Sequence, residues 1–438
     1  MVNSASHNSF LKNLWFGLYI IALIFANHLV LVNVNSIYLL YCTLLFAIPA
    51  IFDFFLRKNF RSLVLKSSTV LIAFYFCLFI TYFFKENKLN SGALNFAVFA
   101  LHILVVNYCL FDNMAAIKKT FFYLMVFLSI FLVFIPHYLV TQSVEFGSFY
   151  NLLGEEIIFN GTIEAPSIVT ICLILSFYYF RTSKHKAFCI AIFFFSIFQL
   201  LLFSRRGLIF SSFIAIGYFI YLQKSNKKIN LYWQLVLMFI PFFWDSISML
   251  LLTLNNNELF STLIARNEAE DYATATGRII AWQRIINIFT SLDVSYFFGY
   301  WGDLPDSWFG ESDEGDRYMH VHNTFLQLFV EGGYIVNFLF MVLVVRAING
   351  IKKLKELGAL PNSYFPILLT FFISISGSES LIRCVGISQL NFFFGIFYLL
   401  IFHESHSCAK KALTHRLKEV GNPALNPTVD FRLTPSRI

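Results

Sequence analysis

The sequence predicts an all-α integral membrane protein with about twelve transmembrane helices and one long loop outside the membrane between the ninth and tenth helices. Three observations predict this class: the composition, a series of apolar stretches and the distribution of Lys and Arg. Hydrophobic residues make up 58% of the 438 positions, charged residues 13%, and the mean hydropathy is +0.68. A chain this apolar is typical of proteins that have lipid as their solvent.

The apolar stretches have the length that a membrane requires. A spanning helix needs about 20 predominantly apolar residues. Twelve such stretches follow one another, at residues 14–33, 36–56, 67–84, 92–111, 120–140, 166–180, 187–203, 208–222, 231–252, 324–345, 364–382 and 386–403.

The basic residues predict the orientation. With the N-terminus in the cytoplasm, 23 of the 32 Lys and Arg residues lie in the inner segments and nine in the outer segments, as the positive-inside rule requires. Both termini are then cytoplasmic. We expect a polytopic transmembrane domain over residues 1–403, with a long outer loop at 253–323 that is the candidate site, and a loosely ordered basic tail at 404–438. The net charge of +7 follows from topology and indicates no nucleic-acid partner.

The outer cations are mostly arginines, which suit bidentate binding of phosphate. Arg205 and Arg206 lie in a turn of a few residues between two apolar spans. Because a cation near the bilayer costs about 2.5–3.5 kcal/mol on insertion scales, this pair is expected to bind an anion. The alternative is that both side chains reach lipid headgroups.

An amphipathic helix is predicted to begin near Arg278. At about 100° per residue its apolar positions form one arc, and Arg278 lies within that arc, in the first turn after the N-cap candidate Thr276. Helix N-termini attract anions, so Arg278 is a candidate for binding a diphosphate. Arg284 falls on the polar face and is expected to be solvated. The arc consists of Trp282, Ile285, Ile286 and Phe289, opposite Gln283, Arg284 and Asn287.

No metal site is predicted. The acidic run of residues 303–316 is a candidate for Mg²⁺ or Ca²⁺, but its spacing fails the calcium-loop template, and a solvated acidic loop is the favoured interpretation. His320 and His322 have no third ligand at zinc spacing. A histidine at the water edge of a membrane site suits a general base, and packing of two polar rings at the interface is the alternative.

Three further polar residues accompany the histidines. Asn323 is predicted to cap the helix that follows. Glu331 interrupts the tenth span before Gly332 and Gly333, either as a site residue or because the helices pack closely at the glycines and Glu331 pairs with an arginine. Arg383 follows Glu379 at i, i+4, which favours a structural ion pair.

Taken in order, these motifs resemble the O-antigen ligase and polymerase superfamily of bacterial envelopes. The resemblance covers about residues 150–400, and the doubled His320-Val321-His322-Asn323 is similar to ligase members. The motifs are Ser204-Arg205-Arg206-Gly207, Gly277-Arg278-(xxx)-Trp282 and His322-Asn323-Thr324-(x)-Leu326 followed by Glu331-Gly332-Gly333.

The resemblance implies transfer of a glycan from undecaprenyl diphosphate to a sugar hydroxyl, in a periplasmic loop of the inner membrane. The acceptor is lipid A core for a ligase, or a second lipid-linked glycan for a polymerase. Arg278 and His322 are the expected catalytic residues of a metal-independent, inverting reaction without a cofactor. The expected substrate-binding residues are Arg205, Arg206, His320, Asn323, Arg383 and Glu331.

Two alternatives stay open. Superfamily polymerases often have an arginine in the earlier outer loop, whereas residues 141–167 contain none and have four Glu, which favours a ligase. A lipid-linked glycan flippase or carrier is the alternative of another class. A carrier is expected to have matched helix-breaking residues in its two halves, and the sequence has no such pairing.

Overall fold

The computed structural model describes residues 2–31, 37–86, 89–134, 148–150, 156–158, 164–202, 206–224, 231–243, 278–299, 323–377 and 389–420. The helices, in chain order, are α1 Val2–Leu31, α2 Ile37–Leu56, α3 Lys58–Glu86, α4 Leu89–Leu110, α5 Met114–Phe134, α6 Glu164–Thr182, α7 Lys186–Leu202, α8 Arg206–Lys224, α9 Arg278–Ser291, α10 Thr324–Glu356, α11 Phe365–Ser376 and α12 Gln389–Val420. Three 3-10 helices join them, η1 Leu231–Phe243, η2 Val294–Tyr296 and η3 Leu360–Asn362.

The helices confirm an α-helical membrane protein. A helix covers at least part of each predicted apolar stretch. Five helical segments in the described part of the chain are long and apolar enough to cross a membrane, and six apolar helices there are shorter. The number of crossings and the side on which the loop lies stay predictions. The five are Ile37–Leu56, Lys58–Thr81, Ala93–Leu110, Thr324–Glu356 and Asn391–Thr414.

Two elements differ from the all-α prediction. Strands β1 Ser148–Tyr150 and β2 Glu156–Ile158 pair antiparallel, with Ser148 opposite Ile158. Aromatic and β-branched residues there favour strands, but three residues are too few to show a period of two. The second is η1, which is a 3-10 helix with Pro241 inside it, where a regular α-helical span was expected.

The predicted loosely ordered tail at 404–438 differs from the structure in its first part. Helix α12 continues through residue 404 to Val420, because this segment is rich in Ala, Lys and Leu, which are good helix formers. Its Glu404 forms an ion pair with Lys118 of α5, which holds this part of the helix against the bundle. Residues 421–438 lie outside the described part of the chain.

Helix α10 breaks at Gly333. The φ of this residue is +69° and its ψ is −163°, a conformation that only glycine adopts readily. Tyr232 in η1 donates to Asn349, at 2.6 Å, and Asn323 donates to Met238 in the same helix, at 3.1 Å. A straight α helix separates residues 323 and 349 by about 39 Å, whereas six residues of 3-10 helix cover only about 12 Å. Helix α10 is therefore bent.

Candidate active site

Helix α9 has the amphipathic arrangement that its sequence predicts. Trp282 and Ile285 are 3% and 0% exposed, Ile286 and Phe289 are half-buried, and Gln283, Arg284 and Asn287 on the other face are exposed. The helix begins at Arg278, so Arg278 lies in the first turn, as expected. Thr276 lies outside the described residues, and of Arg278 only the backbone is described.

Helix α9 is held against α10 at its C-terminal end. The Phe289 ring contacts Phe325, Phe329 and Tyr334, with centroids 5.1–5.5 Å apart. The Tyr334 hydroxyl donates to the carbonyl oxygens of Phe289, at 2.8 Å, and Ile288, at 3.3 Å. These carbonyls belong to the last turn of α9, where no helical N–H remains to bond them. Tyr334 therefore supplies a hydrogen-bond donor to the last carbonyls of α9, the helix whose first residue is Arg278.

The segment after α9 packs backbone to backbone on the bend of α10. The amide of Ile335 donates to the Phe297 carbonyl at 3.3 Å, and Gly299, whose φ is +88°, lies against the carbonyl of Glu331. A Cβ on Gly333 would overlap Gly299 N and the carbonyl oxygen of Tyr296. The two glycines thus allow an approach that no larger residue permits.

Asn323 joins three elements. Its Oδ1 accepts from the Leu326 amide at 2.9 Å and caps α10, which confirms the predicted cap. Its Nδ2 donates to the carbonyls of Met238, at 3.1 Å, and Gly377, at 3.0 Å. The residue is 0% exposed. Both N–H groups and the oxygen of the amide are therefore engaged by protein groups, which indicates a positioning role where a substrate contact was expected.

The two carbonyls that Asn323 bonds lie where helices lose their own donors. In a 3-10 helix the carbonyl of Met238 bonds the amide three residues on, but that residue is Pro241, which has no N–H. Gly377 is the C-cap of α11, and its carbonyl follows the last helical turn. Asn323 supplies the donor that each of them lacks.

Helix α8 starts at the same end of the bundle. It packs extensively against α11, and Ser374 of α11 donates to Ser211 of α8 at 3.2 Å. At 1.5 Å per residue, Arg206 starts α8 about 8 Å from Ser211, and Gly377 follows Ser374 by about 5 Å. The first turn of α8 and the Asn323 amide therefore lie at a similar level of the bundle. Helix α7 ends at Leu202 and α8 begins at Arg206.

Glu331 is buried beside the bend. It is 4% exposed and its Oε1 accepts from Gln327 Nε2 at 2.8 Å, one helical turn earlier. Gln327, which is 3% exposed, was not singled out from the sequence, because a glutamine on an apolar face has no distinctive motif. The close approach at Gly332 and Gly333 agrees with one part of the packing interpretation, while its other part, a pairing of Glu331 with an arginine, stays a prediction.

The remaining predicted site residues lie outside the described part of the chain, or have only a described backbone. In the sequence, His322 directly precedes Asn323, and Arg383 follows Gly377 by six residues. Of Arg206 only the backbone is described. Arg205, His320, His322, Arg383 and the acidic run of 303–316 lie outside the described residues.

Among the described residues, no group of three or more His, Cys, Asp or Glu side chains lies close enough to hold a metal ion. A cavity of about 1240 Å³ lies at the other end of the bundle, lined in part by Asn113, Lys118, Glu404 and Lys411. It shares no residue with the Asn323 junction. The candidate active site is therefore the end of the bundle at which α8 and α10 begin and α11 ends.

A family model described as O-Antigen ligase matches residues 190–341 of the chain. The match runs from α7 to the second part of α10 and includes Arg205, Arg206, Arg278 and His322. It supports the O-antigen ligase and polymerase superfamily. Comparison with curated proteins and with solved structures finds no match.

Proposed function

Because residues 190–341 match the O-antigen ligase family, we propose that this membrane protein is a glycosyltransferase that uses a glycan carried on undecaprenyl diphosphate. The acceptor is a sugar hydroxyl of lipid A core, which makes the protein an O-antigen ligase. The reaction takes place on the periplasmic side of the bacterial inner membrane, with both termini of the chain in the cytoplasm.

The proposed reaction is a single inverting displacement. The acceptor oxygen forms a bond to the anomeric carbon as the bond from that carbon to the diphosphate oxygen breaks. The acceptor proton passes to His322, a role that contributes about 10²–10⁴ in rate. The leaving diphosphate takes the electron pair, and Arg278 with Arg205 or Arg206 stabilises its charge. His320, Arg383 and Glu331 are proposed to contact the substrates, and no metal or cofactor takes part.

The junction at Asn323 is the observation that supports this assignment best. The amide of Asn323 fixes the backbone directly after His322 to η1 and to the end of α11 through bonds of 3.1 and 3.0 Å. Helix α8, whose first residue is Arg206, packs on the same α11, and Ser374 of α11 donates to Ser211 in the second turn of α8. Both attachments lie at one end of the bundle, and we propose that the base and the arginine carried by these segments act together there, as a displacement of diphosphate requires.

The arginine roles are tested by substitution at Arg278. Arg278→Lys retains the charge but loses the planar, bidentate donor pair, so we expect transfer from a lipid diphosphate donor to fall at least tenfold. Arg284→Lys is the matched control, because Arg284 is exposed on the other face of α9. Full activity of Arg278→Lys with purified donor would contradict bidentate recognition. Activity that persists in EDTA supports the metal-independent mechanism.

The choice between ligase and polymerase is tested in cells. A strain lacking the chain is complemented with the wild type or with His322→Ala, and its lipopolysaccharide and lipid-linked glycans are profiled. Long glycans stranded on undecaprenyl diphosphate with bare core support the ligase. Single repeats without long chains would establish the polymerase instead, and an unchanged profile in the deletion strain would exclude both and favour a carrier.

A further inference from the structure

A cluster of cations with no described counter-charge lies at the Lys118 end of the bundle, on a face that α3, α10 and α12 share. We call it the basic seam: Lys66, Arg346, Lys353 and Lys410, of which the three lysines surround the ring of His406. The three helices pack against one another. Gly350 of α10 has no side chain, and a methyl carbon of Ile401 in α12 lies only 2.8 Å from the position that a Cβ would take there. The guanidinium of Arg346 donates to the Lys66 carbonyl at 3.3 Å.

The charges of the basic seam repel one another. Lys66, Lys353 and Lys410 come from three different helices, and all three lie close enough to the His406 ring to act on it electrostatically. Among the described residues, the charged groups that act on this ring are all lysines. Two other described cations do have a carboxylate partner: Lys118 pairs with Glu404, and Arg57 with Asp53. The three seam lysines are exposed, and like charges gathered on one face attract an anion.

An apolar stripe leads away from the cations along α12. Tyr398, Phe402, His406 and Lys410 follow one another at i, i+4 spacing and so share one face of the helix. The rings of Phe402 and His406 are nearly parallel, at 6°, with centroids 6.3 Å apart. The stripe thus runs from charged to aromatic side chains. A phospholipid has the same order, with a charged headgroup followed by apolar acyl chains.

A buried hydroxyl on this stripe has no hydrogen-bond partner among the residues that the structure describes. Tyr398 is 4% exposed and its hydroxyl is unbonded within that part of the chain, although buried Tyr hydroxyls are usually bonded. Arg346 of the basic seam lies within electrostatic reach of it. A phosphate or glycerol oxygen beside Arg346 would supply the missing partner.

We propose that the basic seam binds the phosphate headgroup of an anionic phospholipid, with Lys66, Lys353, Lys410 and Arg346 around the phosphate and the acyl chains against Phe402. Basic pockets between membrane helices bind such lipids on the side where cations predominate. The site lies at the opposite end of the bundle from Asn323, so it is independent of the proposed transfer reaction. It is a lipid contact that stabilises the joint of α3, α10 and α12.

The test compares two triple variants of the full-length protein in neutral detergent micelles. Lys66→Gln/Lys353→Gln/Lys410→Gln removes the seam lysines. Lys58→Gln/Lys352→Gln/Lys411→Gln removes one exposed lysine from each of the same three helices at other positions. Phosphatidylglycerol is titrated, with phosphatidylcholine as the neutral lipid, and binding is followed by native mass spectrometry and by the rise in Tm.

We expect the wild type and the second triple variant to bind phosphatidylglycerol with similar affinity, and the seam variant to bind at least tenfold more weakly. Equal weakening of both variants would overturn the proposal, because it would show only diffuse attraction to basic residues. Inorganic phosphate alone is the third ligand. If it raises the Tm as much as phosphatidylglycerol does, the site takes free phosphate and the lipid assignment is wrong.

Tyr398→Phe tests the buried hydroxyl separately. Removing a hydroxyl that has no partner among the described residues leaves the Tm without added lipid unchanged or slightly higher. We expect the phosphatidylglycerol concentration for half-maximal stabilisation to rise two- to fivefold. An unchanged concentration would remove Tyr398 from the site, and with it the observation that extends the site beyond surface charge.

Discussion

Helix α11 connects two ends of the bundle that are held together in different ways. At its start, Lys118 forms an ion pair with Glu404 and donates to the Asn362 carbonyl at 2.7 Å, while Ser363 donates to Glu404 at 2.5 Å. At its end, Gly377 receives a bond from the neutral amide of Asn323. Charges on side chains organise the Lys118 end, and backbone groups organise the Asn323 end.

The two ends differ in whether a buried charge is already paired within the protein. At the Lys118 end the buried cation is neutralised by a carboxylate of the same chain, and the side chains of Lys118 and Glu404 are only 13% and 10% exposed. At the Asn323 end the described bonds between elements come from the uncharged amide of Asn323. The Lys118 cation is therefore already neutralised and is not available to an anionic donor.

Gly333→Ala is expected to have the largest effect, because it breaks a contact between backbones. The new Cβ would overlap Gly299 and the Tyr296 carbonyl, at a residue whose φ is +69°. Strain and overlap together are expected to destabilise the protein by about 3–5 kcal/mol, measured as the Tm of the detergent-solubilised protein. Gly217→Ala is the control, since a Cβ there meets nothing within 4 Å. If both variants melt within a few degrees of the wild type, the bend is not a tight junction.

Lys118→Met tests the charged end. It leaves the Glu404 carboxylate buried without its cation, which typically costs about 3–5 kcal/mol. Adding Glu404→Gln should restore part of the lost Tm, because the uncompensated charge is then gone. Arg57→Met is the control. The Arg57 side chain, which pairs with Asp53, is 57% exposed, and exposed ion pairs contribute less than about 1 kcal/mol to the free energy of unfolding. A double variant no more stable than Lys118→Met would argue against the charge explanation.

Asn323→Ser sharpens the comparison at the other end. Serine retains the cap of α10 but leaves the carbonyls of Met238 and Gly377 without a donor, which is expected to cost about 2–4 kcal/mol in total. Asn323→Asp also retains the cap acceptor but places a negative charge beside both carbonyls, so it should lower the Tm further than serine does. A milder effect of aspartate than of serine would show that the two donated bonds are not what holds this junction.

The sequence predicted the parts of this end that depend on local pattern. The apolar arc of α9 follows from the 3.6-residue period, and the cap at Asn323 follows from an Asn directly before an apolar helix. The two carbonyls that Asn323 also bonds were not predictable, because Met238 and Gly377 lie 85 and 54 positions away in the chain. The sequence marked Glu331-Gly332-Gly333 as an interruption of the tenth span but did not predict a bend at Gly333, and the contact with Gly299 follows only from tertiary packing.

Asp293 is expected to give the smallest effect, since its charge is fully exposed at the Asn323 side of α9. Its Oδ1 accepts from the Ser295 amide at 2.8 Å and caps η2. The hydrogen bonds from the Ser295 backbone and side chain lower the pKa of the Asp293 carboxyl below its ordinary value. The carboxylate form is therefore favoured in the folded protein. Its contribution is present above the unfolded pKa and is lost as the pH falls through the folded pKa.

The measurement is the Tm of the wild type and of Asp293→Asn between pH 7 and pH 3. Asparagine is also a good cap, so the two proteins differ mainly in charge. We expect the wild type to melt slightly higher at pH 7 and the difference to disappear as the pH falls below about 4. A difference that is constant with pH would mean that the charge contributes nothing. A small, pH-dependent difference in Tm is what we expect if backbone contacts organise this end of the bundle. The exposed carboxylate of Asp293 then only supports the short turn that leads to Gly299.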